Sequence, residues 1–330
     1  MIISQTPLRV SLAGGGTDLP AYCDKSEGRV LSVAIDKYVH VIVQERFDDQ
    51  IHVNYAKRKE VVGSIEEIQH PLAREAMRVA GMRGGCEVTT LADIPSEGSG
   101  LGSSSSLTVG YLNAFHMFMG RQVDAETLAR QACEIEIEIM KKPIGRQDQY
   151  IAAYGGVRYF RFRRGGQVAV ESVEADTRVL RELENGLLLY FTGKTRSADT
   201  LLSEQGRRMN ANRKPMDAIR DLADAARKSL ESGDADGIGR VLDRNWKLKR
   251  ELSDGVTDPD IDAFYAKAKR HGASGGKVTG AGGGGFFVLY APELKRAELR
   301  AALKGHREMP IALEPDGSKI IFNQKRRVWK

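Results

Sequence analysis

Apolar and polar residues alternate near the start of the chain, where Leu8, Val10 and Leu12 flank Arg9 and Ser11. A period of two residues is typical of a β-strand with one face in the core. We therefore expect the first strand here, with a single apolar face. Similar runs predict further strands at 30–35, 38–45, 51–55, 86–92, 156–162, 187–191 and 286–290.

Between these runs, apolar residues recur at helical spacing, and capping residues mark where helices begin. Ser64 and Glu67 form a capping box ahead of a helix at 71–81, and Asp124 precedes a helix that ends near Pro143. Further helices are predicted at 107–118, 215–230, 235–252 and 259–271. Because strands and helices are intermixed without strict alternation, we expect an α+β fold rather than a doubly wound parallel sheet.

The length of the chain bears on its domain organisation. With 330 residues, it exceeds one ordinary core and favours two domains of roughly 150 residues each. The turn at 163–166, Arg-Arg-Gly-Gly, offers an edge between them. We predict an N-terminal domain over 1–165 and a C-terminal domain over 166–330.

The composition is that of an ordinary globular protein, with 41% hydrophobic and 28% charged residues and a net charge of +6. A solvated surface explains this charge, which is spread along the chain apart from a basic tail at 325–330, and anionic substrates would also suit it. We find no aromatic–basic interleaving and no apolar run near the ~18 residues of a membrane helix. Neither nucleic acid nor a membrane is therefore expected as a partner.

The cysteines indicate the compartment. Cys23, Cys86 and Cys133 are far apart, and no CxxC or Cys/His cluster occurs, so neither disulfides nor a zinc site is expected. Sparse cysteines fit a reducing cytoplasm. The first residues lack a basic segment followed by an apolar one, so we expect no signal peptide. These features together predict a cytoplasmic enzyme.

Residues 98–106 read Gly-Ser-Gly-Leu-Gly-Ser-Ser-Ser-Ser and lie between a predicted strand and an apolar helix. We call them the serine loop. Glycine lets the backbone approach an anion, and the first turn of a helix offers unpaired N–H groups and a favourable dipole. Such a composition is also typical of a flexible surface loop, but Leu101 and the helix directly behind it favour phosphate binding.

Other phosphate-binding motifs do not match. A Walker loop needs a glycine five residues before its Gly-Lys pair, but Leu188 stands there ahead of 193–195 and His271 ahead of 276–277. The segment 33–37 is similar to a protein-kinase strand, yet no HRD or DFG motif follows it. The glycine spacing of the serine loop also differs from that of a dinucleotide fingerprint.

Three glutamates follow Asp124 at intervals of two residues, and they differ in environment. At 100° per residue, Glu134 and Glu138 share a charged face, whereas Glu136 falls among apolar residues. An inward carboxylate is costly unless it is paired or bound to a cation. We therefore predict Glu136 as a ligand of Mg²⁺, with an edge position that reaches solvent as the alternative.

Asp148 lies in Gly-Arg-Gln-Asp-Gln-Tyr at 145–150, just past the helix that Pro143 ends. A carboxylate in such a segment could accept the proton of a substrate hydroxyl. It could equally cap a helix at 149–154. The residues alone leave these two roles equally open.

Three segments in order resemble the motifs of the GHMP small-molecule kinases, the superfamily of galactokinase, homoserine kinase, mevalonate kinase and phosphomevalonate kinase. They are 7–14 with 16–18, then 95–106, then 277–285, and the resemblance covers nearly the whole chain. It implies two α+β lobes, an N-terminal lobe like domain 2 of ribosomal protein S5 and a ferredoxin-like C-terminal lobe. ATP and the acceptor would meet in the cleft between them.

The resemblance also implies roles for single residues. Ser104 and Glu136 match ligands of Mg²⁺, Asp148 matches the catalytic aspartate, and Arg9 matches a basic residue beside it and the transferring phosphate. The residues expected to bind the phosphates of ATP are Gly98, Gly100, Leu101, Gly102, Ser103, Ser104 and Ser105. Those expected to bind the acceptor are Gly16, Thr17, Asp18, Lys194, Arg196, Gly280, Gly282 and Gly283.

Segments 13–20 and 145–150 resemble one branch of the family, the sugar 1-kinases. This branch implies transfer to the anomeric hydroxyl of a heptose 7-phosphate, a step towards nucleotide-activated heptose for lipopolysaccharide or capsule. Lys194 and Arg196 would then bind the acceptor's phosphate, unless they are ordinary exposed cations. A kinase for an unphosphorylated sugar such as fucose and a silent sugar sensor are the alternatives, and a homodimer is left open.

Overall fold

Two β-sheets carry the residues that the computed structural model describes, which are 1–94, 98–195, 198–253 and 255–324. The strands are β1 (Ile2–Ala13), β2 (Gly28–Glu45), β3 (Ile51–Tyr55), β4 (Arg58–Val62), β5 (Cys86–Ala92), β6 (Val157–Phe162), β7 (Val168–Ser172), β8 (Leu187–Phe191), β9 (Gly275–Val278), β10 (Phe286–Tyr290), β11 (Glu308–Met309) and β12 (Lys319–Asn323). The helices are α1 (Pro20–Cys23), α2 (Pro71–Val79), α3 (Ser103–Phe118), α4 (Ala125–Cys133), α5 (Gln147–Tyr154), α6 (Thr177–Gly186), α7 (Ala198–Arg207), α8 (Arg213–Glu231), α9 (Gly237–Arg250), α10 (Pro259–Arg270) and α11 (Glu293–Ala302).

The first sheet has the strand order β12-β1-β2-β5-β3-β4, and β6 and β7 extend it beside β2. Its pairs are antiparallel except that of β3 with β5. Strand β2 organises this sheet because β1 pairs along its length, while β6 pairs with its residues 28–33 and β5 with residues 39–45.

The prediction of two strands at 30–35 and 38–45 was wrong, because the single strand β2 covers both. Residues 36–37 bulge opposite the step from Pro7 to Leu8 in β1, where the register of the pairing shifts. A β-bulge accommodates extra residues without ending the strand. The polar pair Asp-Lys therefore reads like a turn in sequence but lies within the sheet.

Most other elements match their predictions. The strands predicted at 51–55, 86–92, 187–191 and 286–290 are confirmed with the same ends. Asp124 caps α4, since its carboxylate accepts a 2.8 Å hydrogen bond from the N–H of Thr127. The helix predicted to reach Pro143 instead widens after α4 into a π-helical turn, Glu134–Ile139. No helix in the described ranges is long and apolar enough to cross a membrane.

Strand β1 has two buried faces, whereas its alternating pattern predicted one. Leu8, Val10 and Leu12 are fully buried, and Arg9 and Ser11 on the opposite face are 4% and 5% exposed. The reason is tertiary packing. Helices α3 and α5 contact β1, and so do α8 and α9 from much later in the chain. The polar face of β1 therefore lies inside the molecule, where Arg9 can take part in a site.

The second sheet is antiparallel throughout, in the order β11-β8-β10-β9, and α9 packs against β9 and β10. The division of the chain into 1–165 and 166–330 stays a prediction. Strands β7 and β12 both follow residue 165, yet they pair in the first sheet. The first sheet therefore draws on both predicted parts of the chain.

Substitution of a leucine in α3, with an exposed leucine in α11 as the control, tests the packing of α3 on the first sheet. Leu112 of α3 is fully buried, and we expect Leu112→Ala to lower the free energy of unfolding by about 2 to 5 kcal/mol, measured by urea denaturation. Leu294 of α11 is 94% exposed, so Leu294→Ala should change it by less than about 0.5 kcal/mol. Equal losses for the two variants would contradict this packing.

Candidate active site

One cavity lies between the two sheets, where loops and helices that adjoin both sheets meet. The first sheet contributes Arg9 of β1, the loop 14–19 that follows β1, and the serine loop. The start of α5 brings Asp148 to the same cavity. The second sheet contributes α9 and the glycine loop 279–285 between β9 and β10. Segments from both ends of the chain therefore form one site.

The serine loop owes its path to its glycines. Gly98, Gly100 and Gly102 have φ angles of +71°, +72° and +77°, a left-handed conformation that other residues rarely adopt. Gly102 immediately precedes α3, so the first turn of that helix faces the cavity. A Cβ atom on Gly100 would lie 2.7 Å from the hydroxyl of Thr279, and the glycine thus allows the two loops to touch.

The predicted phosphate-binding residues of this loop line the cavity, with one exception. The lining residues are Gly98, Gly100, Gly102, Ser103, Ser104 and Ser105, together with Ser99. Leu101 instead is fully buried in the core, and its carbonyl accepts a 3.1 Å hydrogen bond from the N–H of Arg9. Leu101 therefore anchors the loop from behind, which is why an apolar residue lies within a polar motif.

Arg9 and Asp148 form a two-point ion pair at the centre of the cavity. Arg9 Nε donates to Asp148 Oδ1 at 2.8 Å, and Nη2 donates to Oδ2 at 2.7 Å. Arg9 Nη1 donates to the carbonyl of Gly100 at 2.6 Å, so the same guanidinium holds the serine loop. Asp148 does not cap its helix, since it bonds Arg9 from the first turn of α5. The capping role that the sequence left open is thereby excluded.

Glu136 is fully buried, as its inward position on the helix predicted. Its Oε1 accepts hydrogen bonds from Ser104 Oγ at 2.9 Å and from Lys142 Nζ at 3.1 Å, and its Oε2 accepts one from Gln149 Nε2 at 2.7 Å. Lys142 Nζ also donates to Ser104 Oγ at 2.9 Å. An ammonium group thus lies against both predicted metal ligands. No pattern in the sequence indicated a role for Lys142, which directly follows Lys141 just after the π-helical turn.

The loop after β1 presents Asp18 and Gly16 to the cavity. Asp18 Oδ1 accepts 3.0 Å hydrogen bonds from the N–H of Gly16 and from Gln147 Nε2. Burial, with the nearby charge of Asp148, raises the pKa of the Asp18 carboxyl. Thr17 does not line the cavity, because its hydroxyl donates to the carbonyl of Gly14 at 2.8 Å and fixes the turn.

Two buried lysines lie beside the glycine loop, and the sequence analysis did not assign either of them to the site. Lys249 of α9 and Lys277 of β9 both line the cavity, and Lys249 Nζ donates to the carbonyl of Gly280. Burial and the positive charge of Arg9 lower the pKa of Lys249 to about 7. Burial, Lys249 and Arg9 hold the pKa of Lys277 well below its ordinary value. Of the predicted glycines, Gly280 and Gly282 line the cavity and Gly283 does not.

The structure describes one of the two cations that were predicted to bind the acceptor's phosphate. Lys194 lies outside the lining of this cavity, and its Nζ is 2.7 Å from carboxylate oxygens of both Asp258 and Asp260. It already has two anionic partners and is partly exposed to solvent. Arg196 lies outside the described residues.

A second cavity lies beside the first, and Ser99 lines both. Its apolar wall includes Ile94, Phe191, Phe286 and Met309. The rings of Phe191 and Phe286 are in contact, with centroids 5.4 Å apart. An apolar cleft with aromatic walls, next to a loop suited to phosphate, fits a planar base attached to a phosphate chain.

Comparison with known proteins gives matches along the whole chain. The family model of the GHMP kinases N terminal domain matches residues 61–156, and that of the GHMP kinases C terminal matches residues 226–307. The D-glycero-alpha-D-manno-heptose 7-phosphate kinase of Campylobacter jejuni is 32% identical, over 92% of this chain and 93% of that protein. The bifunctional fucokinase/GDP-fucose pyrophosphorylase of Arabidopsis thaliana is 26% identical, over 93% of this chain but 31% of that protein.

Solved structures share the fold. A D-glycero-D-manno-heptose 1-phosphate kinase from Bacteroides thetaiotaomicron superposes with a TM-score of 0.81 at 27% identity, covering 98% of this chain and all of that one. The galactokinase of Lactococcus lactis, solved with galactose, superposes with a TM-score of 0.75 over 96% of this chain and 94% of that one. At 18% identity this second likeness concerns the fold alone. The expected α+β architecture with two lobes is confirmed.

Removal of the Lys142 ammonium tests its contact with Glu136. Breaking a buried ion pair is strongly destabilising, and because Lys142 is 20% exposed we expect Lys142→Met to cost about 2 to 4 kcal/mol of unfolding free energy. Lys295→Met is the control: it removes a pair with Glu298 that is exposed on both sides, and should cost below about 1 kcal/mol. Urea denaturation measures both, and a loss in Lys142→Met no greater than the control's would contradict the contact.

Proposed function

The chain belongs to the GHMP kinase family, and we propose that it transfers the terminal phosphoryl group of ATP to the anomeric hydroxyl of D-glycero-D-manno-heptose 7-phosphate. The product is the 1,7-bisphosphate. The observation that carries the proposal is the Arg9–Asp148 ion pair, which lies between the serine loop and the loop 14–19. A kinase of this family uses ATP, so one loop would hold the donor and the other the acceptor.

The serine loop and the second cavity divide the binding of ATP between them. The N–H groups at the start of α3 and the hydroxyls of Ser103 and Ser105 would bind the phosphates, because a helix N-terminus favours negative charge. The base would lie between Phe191 and Met309 in the second cavity. Ser99 lines both cavities, so one nucleotide can span them.

The residues present also fit Mg²⁺. Ser104 and Glu136 offer a hydroxyl and a carboxylate whose oxygens lie 2.9 Å apart at the start of α3. One hydroxyl and one carboxylate are enough, because Mg²⁺ takes few protein ligands and completes its shell with phosphate oxygens and water. The described ranges contain no group of three or more His, Cys, Asp and Glu that could hold a metal. Bound there, Mg²⁺ would offset the negative charge of the phosphates. Lys142 adds a second positive charge at the same place.

Asp148 and Arg9 would act on the acceptor hydroxyl and on the moving phosphoryl group. Asp148, which the ion pair with Arg9 holds in place, would accept the proton of the anomeric hydroxyl or orient that hydroxyl. Arg9 offsets the charge that spreads over the phosphoryl oxygens. Asp18, held by Gln147 and Gly16, would bind a hydroxyl of the sugar ring.

The acceptor is inferred from relatives. The Campylobacter jejuni relative is named for heptose 7-phosphate and the Bacteroides thetaiotaomicron structure for heptose 1-phosphate, so the two names agree on the sugar and differ on its phosphate. We favour the 7-phosphate because the relative named for it is 32% identical to this chain, against 27% for the structure named for the 1-phosphate. The cytoplasm is the expected location, and an activated heptose for lipopolysaccharide or capsule the expected end of the pathway.

Asp148→Asn tests the catalytic assignment. The amide keeps the shape of the carboxylate but cannot accept the proton, so we expect turnover to fall roughly 10²- to 10⁴-fold while ATP still binds. A coupled assay for ADP and calorimetry with ATP measure the two quantities. Asp48→Asn is the matched control, because Asp48 also forms a two-point ion pair, with Arg46, outside the cavity. Near-normal turnover in Asp148→Asn would refute the assignment.

A panel of acceptors tests the substrate. We expect kcat/KM for D-glycero-D-manno-heptose 7-phosphate to exceed that for the unphosphorylated heptose by about 10- to 100-fold, since a charge-assisted contact to phosphate contributes about 1.5 to 3 kcal/mol. Heptose 1-phosphate and L-fucose complete the panel. Preference for L-fucose would support an unphosphorylated-sugar kinase, and absence of ATP consumption with every sugar would support a silent sugar sensor.

A further inference from the structure

Two lysines in the wall of the active-site cavity have no anionic partner among the residues that the structure describes. Lys249 is 9% exposed and Lys277 is 3% exposed. Within the described residues, Lys249 donates to the carbonyl of Gly280, and Lys277 lies 3.4 Å from the amide oxygen of Asn245. The charges that act on both lysines are positive, since Arg9 reaches each of them. Across the described ranges, the hydrogen-bond partners of both lysines are therefore neutral.

Three of the four carboxylates that line the same cavity are already committed, and the fourth, Asp199, is exposed at the start of α7. Asp148 is paired with Arg9, Glu136 with Lys142, and Asp18 accepts its hydrogen bonds from Gln147 and Gly16. A buried ammonium without a counter-charge is costly to keep. Two of them side by side, next to an arginine, form a pocket that an incoming anion with two negative charges would stabilise.

The position of the pair indicates which ligand supplies this anion. Leu248 near the end of α9 and Leu252 just after that helix both pack in an apolar cluster with Leu19 and Tyr22, which come shortly after Asp18. Lys249 therefore belongs to the acceptor side of the cavity. The nucleotide side has a cation of its own, Lys142, beside Ser104 and Glu136.

We propose that Lys249 and Lys277 form the subsite for the phosphate group that the acceptor already carries. This inference rests on the proposed function and names the residues that would select a phosphorylated sugar over a free one. It differs from the expectation from sequence, which assigned this role to Lys194 and Arg196. Lys194 is neutralised by Asp258 and Asp260, whereas Lys249 and Lys277 are buried in the cavity wall and have only neutral hydrogen-bond partners in the part of the chain that the structure describes.

Calorimetric titration of the full-length protein separates the acceptor's phosphate from those of ATP. Lys249→Met and Lys277→Met keep the length of the side chain and remove its charge. We expect each to raise the Kd for D-glycero-D-manno-heptose 7-phosphate about 10- to 100-fold and to leave the Kd for ATP unchanged. Affinity for the unphosphorylated heptose should also stay the same. Lys247→Met is the control, since Lys247 lies on the same helix, is 68% exposed and pairs with Asp243.

Each other outcome overturns the inference. A raised Kd for ATP with an unchanged Kd for the sugar phosphate would assign the lysines to the donor, and unchanged affinity for both ligands would leave the acceptor's phosphate elsewhere. If Lys277→Met fails to fold, Lys249→Met decides alone. Wild-type protein that binds free heptose but not its 7-phosphate would refute this inference and the proposed acceptor together. If both variants keep the wild-type preference for the 7-phosphate over the unphosphorylated heptose, only this inference is refuted.

Discussion

The ion pair between Arg9 and Asp148 sets the geometry on which the rest of the cavity depends. Arg9 bonds a carboxylate 139 residues away and a carbonyl of the serine loop 91 residues away. A guanidinium with two such partners has little freedom, and separating it from either one inside the protein is costly. Asp148, the carboxylate proposed to act on the acceptor, is therefore positioned against the serine loop before a substrate arrives, which is the form of organisation that phosphoryl transfer requires.

Much of this could be predicted from the sequence because it is local. The strand β1, the glycines of the serine loop and the inward position of Glu136 each follow from backbone periodicity or conformational freedom, and each appears in the structure. The motifs then indicated the family. Motifs do not distinguish residues that touch a ligand from residues that hold the loop, and Leu101 and Thr17 belong to the second kind.

The remainder depends on contacts that bring distant parts of the chain together. Lys249 and Lys277 resemble ordinary surface lysines in sequence, and only the packing of α9 and β9 against the cavity buries them. Lys142 is similar, since it meets Glu136 only because the chain widens after α4. Long-range packing also explains why β2 is one strand, as its partners on either edge come from three separate segments.

The π-helical turn at Glu134–Ile139 has a consequence for the evolution of this site. Such a turn holds about one residue more than an α-helical turn, so deletion of a single residue there would restore the regular pitch. Every side chain beyond the deletion would then rotate by about 100° around the helix axis. Lys142 and the entry into α5 would lose their alignment with Ser104 while the helix itself survived. A one-residue deletion in this short stretch would therefore disturb the site more than a substitution at most of its positions.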